Sequence, residues 1–366
     1  MRVTATDWAM AGIDLHIQRY AFLALAAAAL FGASTPFAKL LLGELPPLGL
    51  AGLLYLGSGV GLLAVLGLRR QFAGAEAGSK EAALKGWDYA WLAGAVIAGG
   101  GIAPVLLLWG LSGAGASEAS LLLNLEGVVT ILIAAVLFRE AVGRRVWAAA
   151  VLMLAGGFVL SWQPRADLEL SLHAVAIVGA CFFWALDNNL TRKISASDPV
   201  VLAMVKGLAA GSFNLALAYA LEMEFPAGAT LAGALTLGFL SYGVSLVLFI
   251  LALRHLGAAR TAAHFSTAPF IGAAIAILVL GEPLTAAFVT ASILMLAATW
   301  LVLTERHAHE HGHEHMAHNH RHVHDEHHQH AHGDNEGPEP HAHWHEHPPL
   351  THSHPHLPDL HHHHRH

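Results

Sequence analysis

Glu126, His264, Asn124, Asp187 and Thr267 are the residues of this chain best placed to do chemistry, because each stands inside an apolar run where polar side chains are scarce. A charged or strongly polar group is expensive in hydrocarbon and, where it occurs, faces protein or water. Glu126 falls near the middle of its run, too far from either end to reach an interface. Burial in a low dielectric favours the neutral form of a carboxylic acid, so a group so placed can exchange a proton or hold a cationic part of a substrate. A neutral acid hydrogen-bonded to a neighbouring helix is the structural alternative. His264 carries an imidazole that titrates near neutrality and suits a proton relay or a substrate contact. Thr267, three positions on, shares its helical face. A satisfied structural donor is the other reading of His264.

Asp187, with Asn188 and Asn189, stands just before Arg192 and Lys193. It lines the inner mouth of a cavity or pairs with those two cations at the interface. Lys39 and Lys206 lie close enough to the ends of apolar runs for their stems to snorkel. Glu118 and Asn214 complete the polar set. Ser117, Ser120 and Asn124 form a small polar stripe at helical spacing, explained equally by helix packing and by a binding face. Gly99, Gly100 and Gly101 followed by Pro104 predict an interrupted helix, either bent around a wet cavity or closely packed. Gly57 and Gly61 read as packing residues.

A second kind of chemistry sits at the far end. Of 29 histidines, 25 follow Thr304, largely as His-x-His, and His309, His311, His313, His315, His320, His322 and His324 are candidate metal ligands. Neutral imidazoles bind divalent Ni, Zn, Co and Cu. Residues 305–366 show no apolar periodicity and are expected to be disordered. A pH-responsive polyelectrolyte and an expansion without a role are the alternatives.

The elements that must position these groups follow from composition. With 55% hydrophobic and 12% charged residues, the chain is too apolar for a water-soluble globule. The single cysteine, Cys181, leaves no disulfide framework. Ten apolar runs approach the roughly 20 residues that cross a bilayer core: 20–42, 47–68, 88–111, 116–138, 146–162, 172–190, 200–220, 231–253, 258–280 and 284–303. With the N-terminus inside, lysines and arginines gather in the inner segments and only Arg165 falls in an outer loop, as ten spans with both termini cytoplasmic require. Residues 1–19 lack the layout of a secretory signal.

The chain also repeats itself. A shift of 142 positions puts Gly115 on Gly257, Glu140 on Glu282 and Leu152-Met153-Leu154-Ala155 on Leu294-Met295-Leu296-Ala297. Five spans per copy is an odd number, so the second copy enters the membrane inverted. The expected fold is an all-α membrane protein of ten transmembrane helices in two inverted five-helix repeats, at 20–162 and 172–304. A cytoplasmic segment (1–19), an outer linker (163–171) and the His-rich tail (305–366) complete it. Inverted repeats are a recurring architecture of secondary transporters, with the substrate site near the midplane. Glu140 and Glu282 end matching helices and are expected to cap the helices that follow them.

These residues resemble a family. The stretch LVLGEPLTAAFVTASILMLAATWLVL looks like the carboxyl half of an EamA domain of the drug/metabolite transporter superfamily, and its first copy looks like another. LFGASTPFAKLLL resembles the family's opening helix, and FFWALDNNLTRKI its counterpart in the second half. The resemblance implies exporters of amino acids, other metabolites and drugs. The chain departs from it at one point: the family's mid-helix Glu-Pro is divided, with Glu126-Gly127 in one copy and Ala268-Pro269 in the other.

The function expected is therefore gradient-driven export of small organic metabolites or drugs from the inner membrane, with no required cofactor and no enzymatic step. Gly74 to Lys80 only partly matches a phosphate-binding loop, which argues against ATP hydrolysis. Efflux of Ni, Co or Zn is one alternative, and a membrane-anchored metal buffer or sensor that does not transport is another. The expected partners are the lipid bilayer, a small-molecule substrate and divalent ions, not nucleic acid; a homodimer is left open.

Overall fold

The structure is a computed structural model. It describes residues 5–73, 84–137, 144–161, 172–194, 197–225 and 228–304, and in the tail 308–313, 316–322, 341–347 and 350–355. Among the described residues up to Leu303 every regular element is a helix. In order run α1 (Ala5–Leu41), α2 (Pro47–Ala73), α3 (Asp88–Ala95) and α4 (Ala103–Gly113), the last two joined by a π-helical stretch, Val96–Ile102. Then come α5 (Ala116–Leu122), α6 (Leu125–Leu137), α7 (Arg144–Ser161), α8 (Leu172–Arg192) and α9 (Pro199–Ala220). A second π stretch, Phe239–Val244, joins α10 (Ala229–Gly238) to α11 (Ser245–Phe265), and α12 (Ala268–Leu280) and α13 (Ala286–Leu303) finish the helical part.

Among the described residues, seven helical segments are long and apolar enough to cross a membrane: Gln18–Leu41, Pro47–Arg69, Asp88–Gly113, Arg144–Ser161, Leu172–Thr191, Pro199–Ala220 and Ala229–Ala252. Ala268–Leu280 and Ala286–Leu301 are apolar but shorter. Besides the two spans that carry a π stretch, two of the ten expected spans break outright. The run 116–138 breaks at Leu123 and Asn124, where the Asn124 amide donates back to the Leu121 carbonyl at 3.0 Å, a local bond that competes with the helix ladder. The run 258–280 breaks later, at Ser266 and Thr267, because Pro269 in the first turn of α12 has no N–H to give. The turn expected between 253 and 258 is not there; the α11 backbone stays helical through Phe265.

The repeat is visible in these irregularities. Under the same shift of 142 positions Ile102, which ends the first π stretch, falls on Val244, which ends the second. The two mid-span breaks match to within a residue. The halves also exchange helices: α1 packs on α11 and α12, while α8 packs on α4 and α6. Between them α2 runs against α9, and α7 against α13. The α2–α9 contact depends on Gly207 and Gly211, a small-xxx-small pair at which an added Cβ would strike the α2 backbone at Gly59 and Leu56. Such packing holds helices together where lipid offers no hydrophobic driving force. Phe213, Leu217, Ile293 and Leu296 lie exposed on outer faces, suited to lipid. Trp87, Tyr89 and Trp91 are exposed around the start of α3, where an aromatic belt meets the headgroups.

In the tail, expected to be disordered, the described backbone pairs instead in two antiparallel ladders. β1 (Ala308–His313) runs with β4 (Leu350–Pro355), and β2 (Met316–His322) with β3 (His341–His347). The His-x-His alternation has the period of a strand. His309, His311 and His313 lie on β1 and His320 and His322 on β2, whereas His315 and His324 lie outside the described residues.

Candidate functional site

The site is built where the first π stretch meets α8. A π segment leaves carbonyls without regular helical partners, and three helices supply donors to them. Tyr55 of α2 donates its hydroxyl to the Gly99 carbonyl, and Trp184 of α8 donates Nε1 to the same oxygen at 3.1 Å. Asn214 of α9 donates Nδ2 to the Gly100 carbonyl at 2.9 Å. The glycines expected to interrupt this helix do so, in a closely packed setting. A Cβ on Gly99 would collide with the Asp187 carboxylate, and one on Gly100 with Ala210.

Asp187 is buried and its partner is Lys206 of α9, with Nζ at 2.6 and 2.8 Å from the two carboxylate oxygens. Thr191, one turn along α8, donates to Asp187 at 2.9 Å and receives from Lys206 at 3.2 Å. This corrects one expectation: Lys206, buried with Asp187, does not extend to an interface. The helices α8 and α9 run back from one short connection, so positions 19 apart in sequence face each other.

Asn188 is exposed and donates Nδ2 to Glu126 Oε1 at 2.6 Å. Glu126 is half-buried in the first turn of α6, directly after the break. Gly127, beside it, is open, with no atom within 4 Å of where a Cβ would stand. The Glu126 carboxylate lies within electrostatic reach of Asp187 and Tyr55. Two carboxylates, one ammonium and an amide therefore gather from α6, α8 and α9. The break itself is served by Cys181, whose Sγ lies 3.6 Å from the Leu122 carbonyl.

Aromatic rings continue from this polar group. Phe31 meets Trp184 and Tyr242 edge-on at 6.0 Å each, and Phe265 at 5.5 Å. Tyr55 and Tyr242 lie 5.3 Å apart. Rings from α1, α2, α8, the second π stretch and α11 thus surround one region between the halves.

The remaining candidates lie elsewhere. Asn124 is buried, bonded to Leu121 and 3.9 Å from Met295 Sδ on α13, so it turns away from Glu126. His264 is half-buried in the last turn of α11, and its carbonyl receives the Thr267 hydroxyl at 2.7 Å across the second break. Among the described residues no three His, Cys, Asp or Glu side chains come together to hold a metal ion.

At the end of the molecule where α1 finishes, Glu282 takes the backbone N–H groups of Ala116 and Ser117 at 2.6 and 2.8 Å. It thus serves the start of α5 in the other half, not the following helix α13 as expected. Partial burial pushes its carboxyl up. The Ser117 hydroxyl, those two N–H groups and the Lys39 cation together outweigh that, and hold it below the usual carboxylate value of 4.5. Lys39 Nζ donates to the Leu111 and Ala114 carbonyls at 2.6 and 2.7 Å. Glu140, the sequence counterpart of Glu282, and the stretch 74–80 lie outside the described residues.

Sequence reading passed over Lys206 as a site residue and missed Tyr55 and Trp184. The aromatic residues of these spans are unremarked in composition, and only the glycine triplet hinted that donors were needed beside it.

A solved crystal structure matches the fold with a TM-score of 0.58 at 19% identity, over 77% of this chain and 95% of that one, which bears on the fold alone. An uncharacterized transporter of Methanothermobacter thermautotrophicus (strain Delta H) is 30% identical over 285 residues, 74% of this chain and 82% of that protein. The sequence model of the EamA-like transporter family matches residues 18–162 and again 172–304. With helices fit to span a bilayer and polar groups gathered between its halves, the chain is a multi-pass membrane protein that belongs to the EamA-like transporter family.

Proposed function

We propose that the protein is a gradient-driven exporter of small organic metabolites or drugs, working by alternating access between two inverted five-helix repeats in the inner membrane, with both termini cytoplasmic. The observation that carries this reading is Glu126. Its carboxylate stands at a mid-span helix break, held by an exposed amide and beside a cluster of aromatic rings. A carboxylate in that setting can bind the amine of an apolar substrate or a proton, and the rings supply stacking and cation–π contacts. The fixed pair Asp187–Lys206 keeps α8 and α9 in place beneath it. In this reading His264 and Thr267, at the second break, contribute to the wall of the same path.

The test is flux in proteoliposomes for substrates first found by a thermal-shift screen of the purified protein. A Glu126→Gln variant that moves a confirmed substrate at the unchanged rate, with unchanged pH dependence, would sink the role given to Glu126.

The tail is read as a cytoplasmic binder of Ni, Zn, Co or Cu. Support comes from the register of its ladders, which sets His309 opposite His354, His311 opposite His352, His318 opposite His345 and His320 opposite His343. Histidine positions two apart on both strands fall on one face. Binding there does not make the metal the cargo. Cells expressing the chain with and without residues 305–366, challenged with nickel, cobalt and zinc, separate a metal exporter from an organic-solute exporter with a metal-binding tail.

A further inference from the structure

We propose that Lys39 and Glu282 form a latch that closes the membrane face at which α1 ends, and that it must break for the transporter to open there; this rests on the alternating-access reading above. The latch is built on the corner between α4 and α5, at Gly113, Ala114 and Gly115. A helix leaves its last carbonyls and first N–H groups without intrahelical partners, and here both sets are taken by charges from other helices. Lys39 reaches from α1 to the Leu111 and Ala114 carbonyls, with Ser112 O at 3.4 Å. Glu282 reaches from the α12–α13 connection to Ala116 N, Ser117 N and, at 2.5 Å, Ser117 Oγ. The two charges also attract each other.

Three features make this a moving contact more than a fixed cap. The Glu282 bonds join different halves of the chain, 165 to 166 positions apart, so relative motion of the halves must stretch them, while Lys39 ties α1 to the end of α4 within the first half. The corner is made of glycine and alanine, which leaves little side-chain packing to hold it once the charges let go. Its other neighbours are His173, stacked on Trp109 at 5.0 Å and set against Gly113, and half-buried Glu118, whose charge repels Glu282. Away from this end, Asn188 and Gly127 are exposed beside Glu126. The latch is closed in this structure, as one side of an alternating cycle requires.

The latch is tested without knowing the substrate. In a Cys181→Ser background, a Ser120→Cys reporter places a thiol one turn below Ser117 on α5, at a position now buried. Vesicles of each orientation are treated with a membrane-impermeant maleimide. Labelling from the face at which α1 ends is expected to be slow, and to rise by about fivefold or more in Lys39→Met and in Glu282→Gln, the range of an ordinary coupling between sites. Unchanged labelling in both variants overturns the proposal. So does an equal rise from both faces with a lowered melting temperature, which is general loosening. Flux measured on the same preparations separates the two readings. Transport by the native chain with unmoved labelling defeats the latch alone, whereas shifted labelling in a protein that moves no solute defeats the transport reading and leaves the latch as a contact that opens.

Discussion

Lys206 Nζ bridges both oxygens of Asp187, at 2.6 and 2.8 Å, with each side chain less than a tenth exposed. Taking two charges out of water is costly, and their attraction offsets that cost only while both are present. Lys206→Met alone should therefore destabilise the protein by about 3–5 kcal/mol, leaving a buried carboxylate without its cation. The double variant Lys206→Met/Asp187→Asn should recover most of that loss. Melting of the three proteins in detergent checks it, and a double variant as unstable as the single would show that the pair does not act as a unit.

Gly99→Ala should cost on the order of 1–3 kcal/mol, because the new methyl collides with the Asp187 carboxylate and no rotamer relieves it. Gly67→Ala in α2 is the matched control. Nothing stands within 4 Å of its added carbon, and alanine in a helix interior is favoured by up to about 1 kcal/mol. The two melting shifts should have opposite signs.

Glu126→Gln keeps the shape of the side chain and an oxygen for Asn188 to donate to. Its melting should stay within about 1 kcal/mol of the native protein, the scale of a single hydrogen bond. Flux should fall, and its dependence on pH should differ from that of the native protein.

Glu282 gives a pH prediction whose sign is fixed by its surroundings. Its carboxyl sits below the ordinary value in the folded protein. The stability it contributes is therefore fully present above the unfolded value of about 4.3 and is lost as pH falls through the lower folded value. The gap in melting temperature between native protein and Glu282→Gln should be constant from about pH 5 to 8 and close below about pH 4. A gap that closed near neutrality would place another group in control.

Removing residues 305–366 should abolish most nickel and zinc uptake by the purified protein, measured by equilibrium dialysis, and leave its melting unchanged. Retained metal binding in the truncated chain would move the ions into the helical part.

Much of the scaffold was legible in the sequence because hydropathy acts locally: a run of apolar residues declares a helix wherever it ends up. Glu126 and Asp187 stood out for the same reason. Their partners did not. Asn188 could be weighed only as part of a polar cluster, and whether it faced Glu126 depended on how α6 lies against α8. Lys206 looked like a residue near a helix end until α9 turned it toward Asp187. Lys39 and Glu282 act across 72 and 166 positions, a separation that no local pattern spans. The break at Leu123 and Asn124 was hidden for another reason: leucine and one asparagine do not announce it as Pro269 announces the other.

The two π stretches have a meaning beyond the bonds they receive. A helix advances 100° per residue, so a wider turn in mid-helix rotates everything beyond it and gives the two ends of one helix different faces. Both copies carry that offset at matching positions. In each of these helices the residues before the π stretch and those after it therefore face different neighbours.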